Sequence, residues 1–137
     1  MLRGEVFAVF QALRARMARV FPAVRGVRLN IVRRHFLPRP SARDLAWFDS
    51  RTRVVSLLSA ALHGHPGRVG GLLAHELGHA ADPDPWAPYA ERRADALAFD
   101  GLGQPILYDN GDVQNLDEGA APRPSRLPEN RHRRGKQ

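Results

Sequence analysis

Between Asp82 and Pro88 the chain reads DPDPWAP, three prolines in seven residues. No helix passes through such a stretch, because each proline lacks an amide donor and its ring clashes with the preceding turn. On both sides of it the apolar spacing is helical. From about Arg68 to Ala81, Val69, Leu72, Leu73 and Leu77 supply one apolar side. From about Pro88 to Leu102 a second helix is predicted, with a proline near its first turn, where the missing N–H costs nothing, and Gly101 and Gly103 as stops. A short stiff reversal makes the two helices antiparallel neighbours. Everything else in the chain has to pack around this pair.

Ahead of it, residues 5–21 place Val6, Phe10, Leu13, Met17 and Val20 at alternating steps of four and three, the pattern of an amphipathic packing helix ended by Pro22 and Gly26. Val27, Leu29 and Ile31 then alternate with polar residues, as in a half-buried strand. Residues 37–43 read as a loop. Leu45–Phe48 and Arg53–Leu58 are two β-prone runs around a turn that begins at Asp49, which predicts a hairpin. Residues 105–109 suit one more short strand. The expected class is α+β, with an N-terminal backing helix and a sheet of about three or four strands. With 137 residues the chain is one domain, placed at 1–119, and a basic disordered tail is expected over 120–137.

Charge and composition narrow the chemistry. The net charge is +7, but residues 1–60 carry 12 Arg against 3 acids, residues 61–120 carry 3 Arg against 10 acids, and the last 17 residues are basic again. The arginines are spread over several elements, as a compositional bias would leave them. There is no cysteine, so disulfides, iron–sulfur clusters, thiol nucleophiles and Cys-ligated zinc are all excluded, and any metal must be held by imidazole and carboxylate. No apolar run approaches the roughly 18 residues of a membrane span; a soluble, cytoplasmic protein without a membrane partner is expected.

The first of the paired helices contains His75-Glu76-Leu77-Gly78-His79, the H-E-x-x-H pattern. Residues four apart on a helix differ by about 40° in azimuth, so both imidazoles leave one face, one turn apart, and can share a tetrahedral cation. Glu76 lies beside them, where a general base for metal-bound water is needed. A third ligand has to come from elsewhere. No histidine follows His79 until His132, which leaves carboxylates. Glu91, in the opening turn of the returning helix, comes back level with the pair. Asp95, one turn deeper on the same face, is placed to accept the second N–H of a ligating imidazole, His75.

With these residues in place the chain resembles the gluzincin metallopeptidases, whose signature is H-E-x-x-H followed by a helix bearing E-x-x-x-D. Here these are His75, Glu76 and His79, then Glu91 and Asp95 in YAERRADALA. The form E-x-x-A-D-x-x-A looks especially like the small ImmA/IrrE-like peptidases and the minimal gluzincins. The resemblance spans about residues 5–102, with its specific part at 72–99. It implies a zincin-like upper subdomain, with Glu91 as third zinc ligand and Asp95 behind it. The gap from His79 to Glu91 is shorter than in the larger members, and no sizeable lower subdomain follows.

The expected activity is zinc-dependent hydrolysis of peptide bonds in a peptide or protein substrate, with Glu76 moving the proton. Tyr108 is the candidate oxyanion partner, with Tyr89 and His35 behind it. The strand Arg53–Leu58 is a candidate edge for an extended substrate. Asp109, Asp112, Asp117 and Glu118 suggest a C-terminal segment that lies across the cleft and keeps the enzyme latent. His63 and His65 read as solvated loop residues. Two rivals stand beside the peptidase. One is a zinc-stabilised binding protein without catalysis. The other is a nucleic-acid-associated protein, supported by the basic N-terminal half and tail but lacking a helix-turn-helix signature or a basic stripe interleaved with aromatics.

Overall fold

The computed structural model describes residues 1–36, 45–64, 66–105, 107–108 and 112–113. Helix α1, Arg3–Ala18, buries Val6, Phe10 and Met17 from the expected apolar stripe. The Glu5 carboxylate accepts the Leu2 amide at 2.7 Å, satisfying a donor near the helix start. The helix ends earlier than its periodicity predicts, and Val20 is left exposed. The cause is Pro22. The residue before a proline is driven out of helical geometry, and Phe21 sits at φ −124°, ψ 88°. A single 3-10 turn over Pro22–Val24 then leads into the sheet.

Strand β1 is Arg28–Val32, β2 is Ala46–Asp49 and β3 is Val54–Leu58. The last two form the expected hairpin, with Phe48 opposite Val55 and Asp49 opposite Val54. At its turn the Asp49 side chain accepts the Arg51 amide at 2.9 Å, and Arg53 takes a left-handed backbone with φ 60°. β1 pairs in parallel with β3, so the strand order is β1-β3-β2. This corrects the expectation that Arg53–Leu58 is an edge: β3 is the central strand, with its hydrogen-bonding positions taken up on both sides. The open edges of this mixed sheet belong to β1 and β2.

A second 3-10 turn, Ser59–His63, leads to α2, Pro66–Ala81, and α3 covers Ala90–Leu102. α3 closes on Gly103 at φ 75°, the left-handed stop that glycine adopts without strain. The fold is α+β. α2 runs through its middle, packed against α1, α3, β2 and β3, and Val69, Leu73 and Leu77 are sealed into one core with Val55 and Leu57 of the sheet and Phe10 and Met17 of α1. Arg53 links these layers: its guanidinium donates to Ala23 O at 2.8 Å and to Ala80 O, at the end of α2, at 2.9 Å. It also lies 5.0 Å from the centre of the Phe48 ring.

Beyond α3, β4 (Leu107–Tyr108) and β5 (Asp112–Val113) form a two-stranded antiparallel pair, and β4 lies against α2. The expected disordered tail, 120–137, falls outside the described residues. Among the described residues no helix is long and apolar enough to cross a membrane.

Candidate metal centre

On α2 the rings of His75 and His79 stand 4.7 Å apart, edge to face. The side chains are mostly shielded, 15% and 18% exposed. α3 brings the third group to them: Glu91 Oε1 is 2.7 Å from His75 Nε2 and 3.1 Å from His79 Nε2. One ligand atom from each of the three lies within 4.8 Å of the others. Zinc bonded at about 2.0–2.1 Å to N and O in a tetrahedron sets its ligand atoms about 3.3 Å apart. Glu91 Oε1 therefore lies about 0.6 and 0.2 Å closer to the two imidazole nitrogens than zinc would set it. Two imidazoles and a carboxylate also match the preferences of zinc in a chain without thiolates.

The other nitrogen of His75 is also engaged: Nδ1 is 2.6 Å from Asp95 Oδ1. This contact fixes the ring so that Nε2 faces the centre. Burial alone would push the His75 imidazolium toward neutrality, but Asp95 and Glu91 outweigh it and raise its pKa from 6.5 to about 10. The histidine contacts hold the Glu91 carboxyl far below its usual range. Glu76, on the same helix turn, is 6% exposed; burial raises its pKa, opposed by His75 and His79 and reinforced by Glu91 and Asp95. A carboxyl with a raised pKa is a better proton acceptor than an ordinary one.

A metal held by this group would compete with the proton for His75. In metal-free protein a folded-state pKa near 10 against an ordinary 6.5 contributes stability that is fully present below 6.5 and is lost as pH rises through 10. Glu91 has the opposite sign: its contribution is present above its ordinary 4.5 and is lost as pH falls. Chelator-treated protein should therefore show its thermal midpoint falling between pH 7 and 10. Binding metal displaces the His75 proton, so zinc affinity by calorimetric titration should rise about tenfold per pH unit across that range. A pH-independent affinity would contradict the assignment.

Two devices that sequence reasoning missed set the helix pair at this spacing. Gly78 lies between the ligands, and a methyl carbon built on it would sit 2.7 Å from the carbonyl carbon of Ala94 and closer still to its oxygen. Only a bare Cα lets the backbones approach this closely. The second device is Asp82, whose side chain is 1% exposed and accepts a two-pronged contact from Arg93, Nε at 2.8 Å and a terminal nitrogen at 2.6 Å. It also takes the Asp84 amide at 2.9 Å. The fork ties the first turn of α3 to the end of α2, two residues beyond Glu91. The sequence offers only a partial signal, a glycine inside a helix at a cost, which Gly70 and Gly71 share, and an acid just past a helix end.

Arg93→Lys keeps the charge but loses the planar fork. It should lower stability by about 1 kcal/mol in urea denaturation and weaken zinc binding measurably. Unchanged zinc affinity would show that the clamp does not position Glu91.

The other sequence candidates lie elsewhere or out of view. Tyr89 is exposed at the start of α3, with the Arg92 guanidinium 5.6 Å from its ring centre. The His35 ring packs on Phe36 and Trp47. Tyr108 is in β4, with its side chain outside the described set. His65, Asp109, Asp117 and Glu118 are outside the described residues. The chain matches no family model, and neither the curated proteins nor the solved structures contain a match to it.

Proposed function

We propose that the protein is a zinc-dependent metallopeptidase of gluzincin type, with the fold serving as a zincin-like upper subdomain. The observation that carries this reading is the meeting of His75 Nε2 and His79 Nε2 on one oxygen of Glu91, beside the buried carboxyl of Glu76. His75, His79 and Glu91 would hold the ion and Asp95 would orient His75. Zinc, when bound, polarises the scissile carbonyl and acidifies water. Glu76 takes the proton of the attacking water and delivers it to the departing amine. The raised pKa of Glu76 supports that double duty, since the same group must accept and then release a proton. A binding protein that used zinc for stability alone would have no use for a buried ionisable group at the metal.

The test is metal analysis of protein reconstituted with zinc, together with cleavage of casein or a peptide library. One zinc per chain with metal-dependent cleavage is expected; a metal-free chain after reconstitution would refute the reading. The proximity of β4 to α2 favours a latent form held by the C-terminal segment. A chain ending at Gln104 should then turn over faster than the full chain, and equal rates would exclude latency.

A further inference from the structure

The two faces of the three-stranded sheet carry different chemistry. Leu29, Val55 and Leu57 point into the core, with Phe48 packed on it. Strand alternation sends Arg28, Asn30, Ser56 and Trp47 to the opposite face, together with Val32, Val54 and Leu58, and none of its apolar members belongs to the core cluster or packs on it. The register aligns Asn30, Ser56 and Trp47 in one row across all three strands.

Just past β1 come Arg33, Arg34, His35 and Phe36. The Trp47 ring lies 4.3 Å from His35 and 5.3 Å from Phe36, and the last two stack at 4.6 Å. Phe36 is 69% exposed, and His35 and Trp47 are half-buried. Arg28, at the start of β1, and Arg33 and Arg34, just past its end, are exposed, and among the described residues none forms an ion pair. Among the described residues, Asp49 at the end of β2 also lies on this face; it accepts the amides of Arg51 and Thr52 and remains anionic. Arg33 to Phe36 are consecutive in the chain, and the fold adds Trp47 of β2 to them.

We propose that this sheet face binds single-stranded nucleic acid, with Arg28, Arg33 and Arg34 on the phosphates and Phe36 with Trp47 as a platform for unstacked bases. The charge selects a polyanion and the rings select among polyanions. A duplex keeps its base faces hidden, and a lipid headgroup has no ring to stack, whereas a single strand offers both phosphate and base. Arginine in place of lysine suits forked contact with phosphate oxygens.

Trp86→Phe leaves Trp47 as the one tryptophan of the chain. Titrating this full-length protein with an oligothymidylate of about 20 nucleotides should quench Trp47 emission. Phe36→Ala, at an exposed position that leaves the core intact, should weaken binding about tenfold. Arg33→Ala combined with Arg34→Ala should reduce the slope of log affinity against log salt by about 1.4, two phosphate contacts at roughly 0.7 each. Absence of quenching would overturn the proposal. So would a duplex or heparin that binds as tightly as the single strand, or a silent Phe36→Ala with circular dichroism unchanged, since binding would then be a matter of charge alone.

Discussion

Gly78→Ala should collapse the metal centre through the backbone, without touching a ligand. The added methyl group is driven into the Ala94 carbonyl, and neither helix can yield locally because both are buried along their shared face. Overpacking against main-chain atoms belongs at the severe end of such changes, about 3 kcal/mol. If the helices part, Glu91 leaves His75 and His79. Zinc stoichiometry should therefore fall together with the urea midpoint. Gly70, on the same helix, is the control: nothing lies within 4 Å of its added methyl. Gly70→Ala should stabilise by about 0.5–1 kcal/mol, as expected for a helix interior. Equal effects at the two glycines would show that close approach at Gly78 is not what holds the site together.

Glu76→Gln is the second large effect, and it appears in one measurement and not in another. The amide has the shape of the carboxylate but cannot take a proton at neutral pH. Turnover should drop by about two to four orders of magnitude, the usual contribution of a general base. Zinc content should not change, because Glu76 is outside the ligand set. Nor should stability suffer greatly, since burial already disfavours the charged form. Loss of zinc in this variant would make Glu76 a ligand; retained turnover would remove it from the mechanism.

How far the sequence foretold this arrangement depended on how local each signal was. The face shared by His75 and His79 follows from helix geometry over five residues, and the return of Glu91 and Asp95 follows from a proline-enforced reversal between two helices of known period. Both could be read without knowing anything beyond residue 102. The end of α1 was misjudged because periodicity continues to Val20, whereas Pro22 acts backwards on Phe21. The position of β3 within the sheet was beyond reach, because a strand pattern does not state its neighbours and the parallel pairing with β1 joins segments some 25 residues apart. Gly78 and the Asp82–Arg93 fork were hidden for a related reason: each matters through a contact across two helices, and composition alone does not reveal which residues will face each other. The cluster of His35, Phe36 and Trp47 is the same case on the sheet.

The carbonyl of Ala80 is held from the sheet by Arg53, and Asp82 is held from α3 by Arg93. Helix ends ordinarily fray first, yet the last turn of α2, which carries His79, is anchored on two sides. Local opening there would have to break both anchors at once, so the imidazoles share the fate of the entire sheet and of the returning helix. Heated zinc-loaded protein should consequently melt in a single transition, with no partly frayed species in which the α2 end has opened alone.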